Sequence, residues 1–174
     1  METVLYEYHL NFSDYLWNLI PLACGIAFLY LFIRVIKDKD NSSSRFVKIF
    51  SGAIGLIVGI LGIGIFLLLT ISMSIEHIDY KKQLANNDVY VVEGYVENFH
   101  PMPYEGHDSE RFEINDVYFE YSDFTIMNGY HNSSTHGGVI THDGQHLKIK
   151  YIVVEYNGIE ENIILYIAEL DASE

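Results

Sequence analysis

Histidine supplies the first grouping with chemical potential. His131, His136, His142 and His146 follow one another closely, with Asp143 among them and His100 and His107 in an earlier stretch. Imidazoles brought together by loops can bind zinc. The intervals of five, six and four residues match no familiar site, however, and half of these residues lie in glycine- and serine-rich sequence. No metal ligand set is assigned, and the other reading is of solvated loop imidazoles or a pH-sensitive surface.

Other chemistry is tested and set aside on the same basis. The only cysteine, Cys24, lies in a long apolar block, which excludes a disulfide framework or a cysteine metal site. There is no G-x-S-x-G and no phosphate loop of the form G-x-x-x-x-G-K-[ST]. Glu93, Glu97, Glu113, Glu120 and Asp123 sit at the every-other-residue spacing of a solvated sheet face, which is not the arrangement of a hydrolase pair. The chain is expected not to be an enzyme and to need no cofactor.

Binding is the remaining class. Tyr90, Tyr95, Phe99, Phe112, Tyr118, Phe119, Tyr121 and Tyr151 stud the C-terminal half, where Arg111, Lys148 and Lys150 are the basic residues of the strand-like segments. Aromatic rings beside a few cations are how small barrels hold nucleotides or single-stranded oligonucleotides. The expected ligand-binding set is therefore Arg111, Lys148, Lys150, Tyr95, Tyr121 and Tyr151. Strand core is the alternative explanation of each aromatic.

The elements that carry these residues show a period of two. DVYVVEGYVENF, RFEINDVYFEYSD, QHLKIKYIVVEY and IEENIILYIAEL alternate or run apolar, and Asn157-Gly158 between the last two is a strong hairpin signal. Asp143-Gly144 marks a further turn, between GVITH and QHLKIKY. A small all-β domain of five or six strands, a barrel or sandwich, is expected over residues 88–171. Two long loops, 100–110 and 124–138, interrupt it, and such loops are where binding usually resides.

The N-terminal part obeys a different rule. Tyr15 to Ile36 and Ile49 to Ile75 carry almost no charge apart from Arg34, and each exceeds the roughly 20 residues that cross a hydrocarbon core. A two-helix transmembrane hairpin is expected over 15–75, with helices at 15–36 and 46–75, then a joint at 76–87. Ser13 or Asp14 suits the cap of the first helix, and Pro21 one turn inside it suggests a bend. Residues 1–14 place Met1, Val4, Leu5, Tyr8 and Phe12 at helical spacing, so this segment reads as a short amphipathic helix or a frayed terminus.

Gly52, Gly55, Gly59 and Gly62 are spaced three, four and three, so all four lie on one face of the second helix. Lipid offers no hydrophobic gain between helices, and close backbone contact through small residues is how they recognise one another. The partner is either the first helix, with Ala23, Gly25 and Ala27, or the second helices of other copies in a homo-oligomeric ring. In a ring, Phe66 on that face would form an apolar gate; otherwise it is a packed or lipid-facing aromatic.

Charge sets the expected orientation. Residues 37–48 are the basic connection, and lysine and arginine favour the cytoplasmic side, which places both the N-terminus and the C-terminal region outside a bacterial inner membrane. The formal charge of -14 comes wholly from residues after Ile75. Such a surface repels phosphate and anionic lipid unless cations are gathered locally.

The runs GYVENFHPM, F-x-x-x-x-V-Y-F-E-Y-S-D (112–123) and HGGVITHDGQHLKIKY (136–151) resemble the extramembrane β domain of a group of small, uncharacterised bacterial membrane proteins. The order of two helices followed by a small β domain is similar to that of membrane effectors of anti-phage systems, of the CBASS and Hailong types. That resemblance implies a homo-oligomeric channel gated by a nucleotide or oligonucleotide bound to the β domain. The reading from another class is a passive, membrane-anchored β domain that scaffolds or binds envelope partners.

Overall fold

The computed structural model describes residues 1–9, 15–37, 45–125, 128–156 and 158–171, without the side chains of 45–47 and 156. The expected caps Ser13 and Asp14, and Asn157 of the hairpin turn, lie outside them. The chain divides into two compact units: one holds Met1–His9 and everything from His77 onward, the other Leu10–Glu76.

The first unit contains β1 (Glu2–Glu7), β2 (Tyr90–Tyr95), β3 (Glu97–His100), β4 (Glu110–Ile114), β5 (Val117–Tyr121), β6 (His146–Tyr156) and β7 (Ile159–Leu170). They form two antiparallel sheets, β1-β7-β6-β2 and β3-β4-β5, with no closed barrel. Phe112, Phe119, Ile114, Leu147, Ile149 and Ile164 are buried in the core that the two sheets share. Each such side chain contributes about 1.5–3 kcal/mol by leaving water.

Residues 1–9 are not an amphipathic helix, and 10–14 of the expected segment lie outside the described residues. Glu2–Glu7 is a strand paired antiparallel to β7, with Glu2 opposite Leu170 and Val4 opposite Ala168. Of the apolar positions that suggested helical spacing, Leu5 packs on the shared core and Tyr8 is buried at the other face of the four-stranded sheet. Six residues are too few for periodicity to separate helix from strand, and a distant partner decides.

Two apolar runs each divide into two strands. The segment 112–121 turns at Asn115-Asp116, whose φ values of 48° and 64° make a two-residue hairpin with Ile114 opposite Val117. Asparagine and aspartate tolerate that left-handed region, which fits the twist of the flanking strands. In DVYVVEGYVENF the chain leaves the four-stranded sheet after Tyr95 and joins the three-stranded one at Glu97, with Val96 buried at the corner. GVITH is not a strand; it is loop preceding the Asp143-Gly144 turn. The β6–β7 hairpin is as expected, with Tyr156 opposite Ile159 and Gly158 at φ 81°.

The four-stranded sheet has two apolar faces, and a bulge in β7 puts Ile164 and Ile167, three residues apart, on the same one. Lys150 pairs with Tyr166 but Tyr151 pairs with Ile164, so Leu165 is an extra residue. Ile164 joins the shared core, whereas Leu165 joins Tyr8 and Ile152 under Tyr80 and Leu84.

The second unit holds α1 (Leu19–Lys37) and the greater part of α2 (Arg45–Ala85). The second helix does not stop at Ile75; the expected joint is helical as far as Ala85. Both helices are long and apolar enough to cross a membrane, and only 6% and 11% of their apolar windows are buried. Core helices of a water-soluble protein would be mostly covered. Pro21 lies in the first turn of α1, where its missing N–H has no helical partner to lose, so no bend is required.

The glycine face of α2 packs on α1 of the same chain. A Cβ at Gly62 would lie 2.7 Å from the Pro21 carbonyl oxygen and 2.8 Å from Gly25 Cα, and one at Gly59 would lie 2.6 Å from the Leu29 side chain. Gly55 faces Phe28 and Phe32, and Gly52 faces Phe32 at ordinary contact distance. Nearer the start of α1, the Asn18 amide donates to Met73 Sδ at 3.1 Å and Tyr15 meets Ser74 at 3.2 Å. Phe66, one turn on from Gly62, is half-buried on this face.

Candidate functional site

Loops 100–110 and 124–138 meet at a buried carboxyl. Glu110, the first residue of β4, is fully buried, and its oxygens accept from the Tyr121 hydroxyl at 2.7 Å, the Ser134 hydroxyl at 2.6 Å and the Ser134 N–H at 2.9 Å. The Met102 N–H points at it from 3.4 Å, and Thr135 donates to the Met102 carbonyl at 3.1 Å. Every partner of Glu110 is a donor. The acceptor-only capacity of a carboxylate is matched by this set, and one side chain thereby fixes two loops.

Beside this pin, Asp123 holds the turn Ser134–His136. Its carboxyl accepts from the Ser133 N–H at 2.6 Å, the Ser133 hydroxyl at 2.7 Å and His136 Nδ1 at 2.5 Å. Burial by itself would raise the Asp123 pKa, but the two Ser133 donors and His136 outweigh it and hold the group below its ordinary value. Gly137 ends the turn at φ 94°, which glycine adopts without strain. Gly138 then presses on the Asn132 and Ser133 backbone, where a Cβ has no room.

Aspartate, histidine and serine here do not make a hydrolytic triad. Ser133 and Asp123 both address Nδ1 of His136, and Ser133 is fully buried. A nucleophile needs the far nitrogen, Nε2, with the carboxylate on Nδ1. The arrangement fixes the tautomer of His136 instead, with the proton on Nδ1. His131 is held the same way, its Nδ1 donating to the Gly129 carbonyl at 3.0 Å. Asp123, Phe124, His131, Asn132 and His136 line one open cleft of about 520 Å³.

The ligand set expected from the sequence is dispersed. Tyr121 is in the core, its hydroxyl given to Glu110 and its pKa pushed up by burial and then by that carboxyl. Tyr151 packs edge-on against Phe119 and stacks on Tyr90; Tyr95 stacks on His146. Arg111 belongs to the three-stranded sheet and donates to Asp108 at 2.8 Å. Lys148 is paired with Glu2 at 3.1 Å, and Lys150 lies over the Tyr166 ring at 5.1 Å. Of these three cations, Arg111 lies in one sheet and Lys148 and Lys150 in the other.

Asp123 is not the sheet-face carboxylate that its spacing suggested, since β5 ends at Tyr121 and the chain has already turned. Glu110 gave no signal beyond being a carboxylate next to apolar strand residues. Of the histidines first considered, His131 and His136 share the cleft, whereas His142 bonds Thr141 and His146 stacks on Tyr95. Among the described residues no group of three or more His, Cys, Asp or Glu is placed to hold a metal ion. Comparison with protein-family models, curated proteins and solved structures gives no match to this chain.

Proposed function

We propose that the protein is a membrane-anchored binding module: α1 and α2 are its two-helix anchor, and the β unit is a binding domain facing away from the cytoplasm. The observation that carries this reading is the pairing of β1 with β7. The chain enters the helical hairpin from one strand of a sheet and returns from it to the other strands, so the hairpin crosses the bilayer twice and both its ends share one side. Residues 37–48 then occupy the opposite side, and their lysines and arginines favour the cytoplasm.

The ring-forming channel gated by a nucleotide or oligonucleotide draws less support. It relied on a bare glycine face meeting other copies, and α1 of the same chain covers that face. It also relied on gathered cations, and Lys148 and Arg111 already have acidic partners.

Sidedness tests the proposal. In a Cys24→Ser background, Glu105→Cys is expected to react with a membrane-impermeant maleimide in intact spheroplasts, and Ser42→Cys only after permeabilisation. Labelling of both positions from one side, or of Ser42→Cys alone, would overturn it.

A further inference from the structure

We infer that the cleft lined by Asp123, Phe124, His131, Asn132 and His136 is a binding site for a neutral saccharide. This deepens the binding-module reading and rests on it for its biological setting, though not for its chemistry.

Three features of the cleft select the ligand. The first is hydrogen-bond polarity. Both imidazoles have Nδ1 committed to an acceptor, His136 to Asp123 and His131 to the Gly129 carbonyl, so Nε2 is the nitrogen that each ring leaves for a ligand. Asn132 adds an amide that both donates and accepts. A ligand rich in hydroxyl groups, which both donate and accept, matches such a wall.

Charge is the second feature. Asp123 is the charged group of the cleft, its pKa is held low, and residues after Ile75 carry the whole negative excess of the chain. A phosphate would face the Asp123 carboxylate, with no lysine or arginine among the cleft residues to offset it. A metal ion would find two imidazoles but no third side-chain ligand among the described residues. A neutral polyol meets neither difficulty, because each hydroxyl needs only one acceptor.

The third feature is the apolar wall. Phe124 is 72% exposed at the cleft, and Tyr104, 74% exposed, has its ring 4.8 Å from that of His136. The Phe124 ring sits beside Gly106, where a Cβ would approach to 2.9 Å. Exposed aromatic faces beside convergent polar groups suit the C–H face of a sugar ring, and the volume lies in the usual range for small-ligand sites.

The experiment is a saturation-transfer titration of the detergent-solubilised full chain with maltotriose, with chitotriose and with AMP, and a calorimetric titration of the same sample with zinc chloride. Binding of at least one trisaccharide is expected, weakened tenfold or more by Phe124→Ala and by His136→Ala, and unchanged by His142→Ala outside the cleft. Should His136→Ala lower the melting temperature, Phe124→Ala and Asn132→Ala decide, because both side chains are exposed. Absence of binding by both sugars, binding that these variants leave intact, or AMP or zinc binding there in place of the sugars would overturn the inference. Detergent removes any dependence on sidedness, so this result and the labelling result fail separately.

Discussion

Glu2 and Lys148 form an ion pair at 3.1 Å although 146 residues separate them in the chain. The contact reaches from β1 across β7 to β6, and the Tyr166 hydroxyl of β7 donates to the other Glu2 oxygen at 2.9 Å. The first residues of the protein and its last strands are therefore one sheet, with two apolar helices in the sequence between them.

Because that ion pair is exposed, it adds little stability; the strand is held by its backbone ladder and by Tyr8, which is buried against Leu165 and Ile152. Tyr8→Ala should cost about 3 kcal/mol, whereas Glu2→Gln should leave the thermal midpoint nearly unchanged. Melting of the two variants followed by circular dichroism checks the contrast.

Glu110 is the pin of both loops, so its replacement should loosen the cleft before it unfolds the sheets. Glu110→Gln puts an amide donor against the donors of Ser134 and Tyr121, with an expected loss of about 1–3 kcal/mol. Hydrogen exchange should rise at Ser134 and Met102 in this variant and stay low along β6. Uniform exchange across the unit would contradict the pinning role.

Acid should act through Asp108 and Asp123. Asp108 is held down to about 2, from 3.8, by the Ser109 N–H and then by Arg111 and His100, and Asp123 is lowered by Ser133 and His136 despite its burial. In each case the folded group has the lower pKa, so the unfolded chain takes up the proton first. The stabilisation is complete above the unfolded value of 3.8 and is lost as the pH falls through the folded one. Melting temperature measured from pH 5 down to about 2 should fall less steeply for Asp108→Asn than for the parent protein.

The helical hairpin offers a comparison of two neighbouring glycines. Gly62→Ala places a methyl group against the Pro21 carbonyl and Gly25, and should cost about 1–3 kcal/mol of helix pairing. Gly64→Ala meets nothing within 4 Å and should be silent. Cross-linking yield between cysteines at Tyr15 and Ser74 measures the pairing; equal yields in the two glycine variants would remove the argument that backbone contact holds α1 to α2.

The helices and the β character of the C-terminal half were legible because long apolar blocks and a period of two are local signals. The hairpin at 157–158 was legible for the same reason. What escaped had non-local causes. A six-residue strand at the N-terminus is defined by β7, and the split at Val96 by two sheets that claim successive residues. The cleft depends on Glu110, whose burial follows from Ser134 and Tyr121 folding over it. Lys148 and Lys150 do share a face, as spacing required, but Glu2 and Tyr166 already occupy it.

The central claim is that the strands flanking the hairpin in sequence belong to one sheet, and a cross-link measures it most directly. In a Cys24→Ser background, cysteines at Thr3 and Glu169, which are directly paired, should be joined by a short bismaleimide in native membranes. Cysteines at Thr3 and Tyr95, on opposite edges of the same sheet, should not be. Efficient linkage of the first pair alone is the predicted result; failure of that pair, or equal linkage of both, would contradict the account.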